Sequence, residues 1–251
     1  MALTWQMAAL LFAAGFWAGA QNALAGGGSF VTLPVLMLTG LDARIANLTS
    51  TVALFPGQVV SGLRGRGLIV DRLPLPLGWL IAINAAGGAT GAGLLLATPS
   101  TVFAGLVPWL ILFATVLFIA SSSPRRDPSR APVLGPAAFG GVQFAIAIYG
   151  GYFGGGGGFM VIAALALAGI ASRSAMAFKN IVIALINAAA VVVFVFAGRA
   201  ALVEAIVLGS GALIGGVAGV SVLRRIDERL LRGVVVVIGL ALTAWLFAAA
   251  P

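Results

Sequence analysis

The sequence predicts an all-α polytopic membrane protein of about ten transmembrane segments, built as two inverted five-segment repeats. Three observations predict it. Of 251 residues, 61% are hydrophobic and only 8% charged, against about 25% charged in a soluble domain. The apolar residues fall in stretches punctuated by Gly, Pro and Arg, and a spanning helix needs roughly 20 mostly apolar positions. A glycine-led pattern also recurs at a constant offset of 129 positions. Ten such spans use about 200 residues and leave about 50 for all loops, so no soluble catalytic domain fits.

Ten stretches follow in order: 3–23, 28–40, 45–63, 74–97, 101–120, 133–152, 157–169, 174–198, 201–222 and 233–250. Ahead of the first, Met1 to Gln6 lacks the basic region of a cleaved signal, so Leu3–Ala20 reads as a retained span. The second and seventh are short, and each follows a glycine run, Gly26-Gly27-Gly28 or Gly154 to Gly158. The others have spanning length. If all ten cross, one side collects Arg64, Arg66, Arg72, Arg125, Arg126, Arg130, Arg173, Arg224, Arg225, Arg229 and Arg232. The other side keeps Arg44 and Arg199, each with an acidic neighbour, Asp42 or Glu204. Re-entry of both short segments would move the loop at 223–232 to the opposite side and break this asymmetry. The positive-inside rule therefore favours ten crossings with both termini outside. It also accounts for the net charge of +8 without nucleic acid as a partner.

The repeat places Gly26-Gly27-Gly28-x-Phe30 on Gly155-Gly156-Gly157-x-Phe159, and Gly40, Arg44 and Ala46 on Gly169, Arg173 and Ala175. Five spans per half is odd, so the second half enters from the opposite face, the inverted layout of many secondary transporters. The halves are 1–120 and 133–251, joined by a cytoplasmic linker at 121–132 rich in Arg and Pro.

Several chemistries are excluded at once. The chain has no Cys and no His, which removes disulfides, thiolate nucleophiles, iron–sulfur clusters and the commonest metal ligand and proton shuttle. No enzyme activity, metal or cofactor is expected. What remains is backbone and a few intramembrane polar groups. A glycine-rich turn opening a helix aims N–H groups and the positive end of the helix dipole at whatever lies before it. Irregular backbone at membrane depth is tolerated where protein buries it or it lines a cavity. Gly26, Gly27, Gly28 and Ser29, with Gly155, Gly156, Gly157 and Gly158, are therefore candidate ligands for an anion. After each short segment comes a polar-faced helix, with Asn47, Thr49, Ser50 and Thr51 in one half and Lys179, Asn180 and Asn187 in the other. Lys179 is the one lysine of the chain. The offset pairs Ser50 with Lys179, Thr51 with Asn180 and Gln58 with Asn187.

The run Gly26-Gly27-Gly28-Ser29-Phe30, then Leu33-Pro34, Gly40 and Ala46-Asn47-Leu48-Thr49-Ser50, resembles the signature of the TauE/SafE sulfite exporter family. Gly154–Gly158 with Phe159, Gly169 and Ala175 resembles that family's second repeat. The resemblance covers the whole chain in length, hydropathy and two-fold layout. It implies a secondary transporter of the bacterial inner membrane exporting sulfite, sulfoacetate or a related sulfur-containing anion by alternating access. The second copy departs from the pattern, with Phe178-Lys179-Asn180 where a Thr-Ser pair would recur. An anion channel or uniporter is the alternative. Partners expected besides the anion are the lipid bilayer, coupling protons and a second copy in a homodimer. The acids lie in loops, with Glu204 alone at the start of a span, so coupling would fall to Glu204, Lys179 or the substrate itself.

Overall fold

Helices form every regular element among the described residues of the computed structural model, which are 3–24, 26–69, 74–121, 133–222 and 228–249. In chain order they are α1 (Trp5–Leu24), α2 (Ser29–Leu38), α3 (Ala43–Gly65), α4 (Leu77–Ala97), α5 (Ser100–Ser121), α6 (Pro136–Phe153), α7 (Gly157–Leu167), α8 (Ser172–Phe196), α9 (Leu202–Val222) and α10 (Glu228–Ala249). The segments Leu77–Ala97, Ser100–Ile119, Ser174–Phe196 and Leu202–Gly219 are long and apolar enough to cross a membrane. Large apolar side chains lie outside as well as in, among them Trp79, Trp109, Phe113, Phe196 and Ile206. Water would reject such a surface; hydrocarbon accepts it. The linker at 121–132 lies outside the described residues apart from Ser121, as do Arg72, Arg224 and Arg225.

Local chemistry sets the helix ends. Asp42 caps α3, its carboxylate accepting from the N–H groups of Arg44 and Ile45. Pro136 occupies the first turn of α6, where a missing N–H costs nothing. Gly154 stops α6 with φ +72°. Gly40 and Gly169 turn the chain after α2 and α7 with φ +91° and +85°, a region that penalises residues with a Cβ.

Glycine stripes bring helices into backbone contact. Gly211, Gly215 and Gly219 of α9 lie against Phe12, Phe16 and Ala20 of α1, and a Cβ on Gly215 would strike the Phe16 carbonyl. Gly87 and Gly91 of α4 meet α6 in the same way, at Ala147 and Ile148. These stripes are spent on packing inside the chain, as lipid-embedded helices require.

The contacts also fix directions. The matched order Phe12–Gly211, Phe16–Gly215 and Ala20–Gly219 makes α1 and α9 parallel, and Ala53–Gly209 with Gly57–Gly216 makes α3 parallel to both. Since α2 hands over to α3 through a tight turn at Gly40, α1 and α2 form a hairpin. A second hairpin joins α6 and α7: the N–H groups of Val133 and Leu134, just before α6, both donate to the Leu167 carbonyl at the end of α7 (2.9 and 3.1 Å). With 10 and 11 residues, α2 and α7 extend about 15 and 16 Å, half of a hydrocarbon core of about 30 Å.

Features recur at the offset of 129. Gly27 and Gly156 both have φ +77°. The Phe30 N–H donates to the Gly27 carbonyl as the Phe159 N–H donates to that of Gly156, both at 3.0 Å. Packing recurs likewise: α1 on α9 and α6 on α4, α2 on α3 and α7 on α8.

Candidate functional site

The two glycine breaks meet inside the bundle. Gly26 and Gly158 face each other, so that a Cβ on either would lie 3.8 Å from the other's Cα. Gly27 lies under the Phe159 ring, and a Cβ there would come to 2.9 Å from it. Phe118 and Phe159 stack with centroids 4.0 Å apart, and Phe30 adjoins Phe159 at 6.4 Å. The tips of both hairpins thus close on one aromatic cluster.

Side chains hold the first break in shape. Gln21 accepts from the Trp17 indole N–H (3.0 Å) and donates to the Gly26 carbonyl (3.2 Å). The Asn22 side-chain carbonyl accepts from the Gly28 N–H at 2.8 Å. At the second break the N–H groups of Gly157 and Gly158, in the first turn of α7, have no acceptor among the described residues. Helix starts leave such donors free by construction.

A cavity of about 20 Å³ lies between the breaks, lined by Gly26, Gly27, Gly154, Gly156 and Gly158 from the two turns. Asn22, Gln58, Lys179, Asn180 and Ile183 close it from α1, α3 and α8. Lys179 is 1% exposed, and its ammonium donates to the main-chain carbonyl of Asn22 at 2.8 Å. Ammonium carries three donors, and no carboxylate lies against it among the described residues. A buried charge held by one carbonyl is incompletely compensated. Gly158 is small because Lys179 passes over it: a Cβ there would come to 3.1 Å from the lysine Cδ.

Beneath the cavity Asn187 donates to Gln58 at 2.7 Å, two residues separated by 129 positions. The pair joins counterparts of the sequence repeat across α3 and α8. Asn84 and Gln143 form a second buried amide pair at 2.7 Å between α4 and α6.

Of the candidate residues read from the sequence, Gly26, Gly27, Gly156, Gly158, Lys179 and Asn180 line the cavity, and Asn187 stands one bond away through Gln58. Gly28, Ser29, Gly155 and Gly157 lie in the turns without lining it. The polar run of α3 bonds protein partners, with the Asn47 side-chain oxygen buried without one among the described residues. Asn47 donates to the Tyr152 carbonyl (3.1 Å), Thr49 accepts from the Ala201 N–H (3.1 Å), Ser50 bonds Thr32, and Thr51 donates to the Asn47 carbonyl (3.1 Å). These side chains tie α3 to α6, α9 and α2. Asn22, Gly154 and Ile183 join the lining without having been singled out as ligands; Gly154, as the first residue of the second glycine run, and Asn22, by its proximity to the first run, gave a signal.

The comparisons decide the family. The Sulfite exporter TauE/SafE family model matches residues 11–246. The chain belongs to the TauE/SafE family. A "Probable membrane transporter protein" of Haemophilus influenzae is 28% identical over 241 residues, covering 94% of this chain and 92% of that protein. The Sinorhizobium "Probable membrane transporter protein ORF9" is 26% identical over 252 residues, 98% and 94% of the two chains. The "Probable membrane transporter protein YfcA" of Escherichia coli K12 is 24% identical over 240 residues, 94% and 87%. No solved structure matches. As a TauE/SafE protein the chain is a multi-pass transporter of the bacterial inner membrane, acting on a small anion rather than catalysing a reaction. Among the described residues no group of three His, Cys, Asp or Glu is placed to hold a metal.

Proposed function

We propose that this TauE/SafE protein exports a small sulfur-containing anion, sulfite or an organosulfonate such as sulfoacetate, by alternating access around the paired glycine breaks. The observation that carries the reading is the meeting of both breaks around the buried ammonium of Lys179. An anion there would take two free ammonium hydrogens, the open N–H group of Gly158 and the Asn180 amide. Asn47, Thr49, Ser50, Thr51 and Ser29 hold the surrounding helices in register, and Asn187 positions Gln58. The volume of about 20 Å³ suits a single water rather than an oxyanion, so substrate entry requires the hairpins to part.

Two inverted repeats, 1–120 and 133–251, supply the moving halves in this reading, and the recurrences at the offset of 129 support it. Each hairpin, α1–α2 and α6–α7, buries its tip in the membrane and returns to the side it started from. Six helices, α3, α4, α5, α8, α9 and α10, then cross. The loops after α3, α5, α7 and α9 still share one face, so the arginine asymmetry survives although the short helices do not span. Re-entry breaks the asymmetry only if a short segment dips from the far side; here its tip never reaches it. The linker at 121–132 joins the halves on the cytoplasmic face.

Flux in proteoliposomes of purified protein tests the function, comparing sulfite, thiosulfate, sulfoacetate, sulfate and chloride with and without a proton gradient. Saturable flux of a sulfur anion is expected; current through single proteins with no saturation would refute the exporter in favour of a channel. The absence of native cysteine makes topology easy to read. Gly67→Cys and Ala168→Cys should react with an impermeant maleimide from one face, and Ala197→Cys from the other.

A further inference from the structure

A second, larger cavity of about 260 Å³ lies at the opposite end of α8, lined by Arg44, Ile45, Leu48, Leu96, Ala197 and Arg199. Both arginines of the arginine-poor face therefore converge on it. The sequence pairs them with Asp42 and Glu204, yet neither ion pair forms. The Asp42 carboxylate is spent on the N–H groups of Arg44 and Ile45. Glu204 makes no bond to Arg199, which has no hydrogen-bond or ionic partner among the described residues. Arg44 is anchored by one nitrogen, Nη1 donating to the carbonyls of Leu96 (3.3 Å) and Thr98 (2.9 Å). Its Nε is buried without a partner, and Nη2 likewise has no acceptor in the described residues. Guanidinium carries five donors in a fork that matches oxyanions. Two unneutralised guanidiniums around one water-accessible cavity attract and hold an anion.

We propose that this vestibule is a second anion site, binding a small oxyanion from the aqueous phase at the mouth opposite the arginine-rich loops. Its volume falls below that of pockets for drug-sized ligands, which fits a hydrated sulfite or sulfate. Arg44, held by the carbonyls at the end of α4, supplies the anchored half of the site; Arg199, on the exposed turn between α8 and α9, supplies the other half. Binding at the mouth stands without the export reading, but its place as a way-station for the transported anion rests on that reading.

The test uses the full chain in nanodiscs of phosphatidylcholine, with radiolabelled sulfite as the probe under anaerobic conditions. Arg199→Gln should weaken sulfite binding at the mouth about 5–10-fold with an unchanged melting temperature, because this side chain bonds nothing among the described residues. In proteoliposomes it should raise KM from the Ala197 face by the same factor while leaving KM from the Gly67 face unchanged. Identical binding isotherms for wild type and Arg199→Gln would overturn the proposal. So would loss of sulfite binding when phosphatidylglycerol replaces phosphatidylcholine, since the occupant would then be a lipid headgroup. Intact arginine-dependent binding with no flux of any tested anion would uphold the site and refute the export reading.

Discussion

Replacing Lys179 by Met removes a buried charge at the meeting point of the hairpins while keeping an unbranched side chain of similar length. On stability two effects oppose each other. The charged hydrogen bond to the Asn22 carbonyl, 2.8 Å long, is worth about 1.5–3 kcal/mol. Burying an ammonium with 1% exposure costs several kcal/mol, and the substitution relieves that cost. The two nearly cancel, so the melting temperature should move by only a few degrees. Transport has no such compensation. An ammonium and an anion about 4 Å apart at an effective dielectric near 20 attract by about 4 kcal/mol. Giving up half of that to desolvation leaves about 2 kcal/mol, roughly a 30-fold loss in affinity. The assay is the initial rate of sulfite flux below saturation in proteoliposomes, beside thermal unfolding of the same preparation. Unchanged flux with an unchanged melting temperature would refute the argument that Lys179 pairs with the anion. A large drop in melting temperature would refute the cancellation.

Glycine substitutions separate strain from crowding. Gly40→Ala has φ +91° and open space around its Cβ, so it should cost about 1–2 kcal/mol and leave flux intact. Gly27→Ala has φ +77° and also meets Phe159, so its melting temperature should fall further and its flux should drop. On α4, Gly91→Ala drives a methyl into the Ile148 carbonyl whereas Gly93→Ala meets nothing. The first should lose about 1–3 kcal/mol or more and the second should be neutral, as detergent melts will show. Asn187→Leu strands the Gln58 amide and should cost about 1–3 kcal/mol; the double variant Gln58→Leu/Asn187→Leu should recover part of it, read as a coupling energy in the same melts.

Membrane class, helix count and the offset of 129 were legible in the sequence because they depend on composition and local pattern. An apolar run must sit in lipid whatever its neighbours, and a positive-φ turn calls for glycine wherever it occurs. Gly26, Gly27 and Lys179 could be singled out for the same reason: a glycine run or a charge inside an apolar segment is anomalous on its own. Which polar groups face the cavity depends on rotation and contact between distant helices, and no local pattern encodes that. Asn47 and Thr49 look like ligands in sequence, yet they bond α6 and α9; Asn22 contributes through a main-chain carbonyl that any residue would carry. The hairpins belong to tertiary structure too, since the length of α7 says only that it is short. Its return beside Val133 and Leu134 settles where it goes. The unpaired state of Arg44 and Arg199 was likewise decided in three dimensions. A helix cap claimed Asp42 first, because a carboxylate beside free N–H groups at a helix start is held more locally than by a long side chain reaching back.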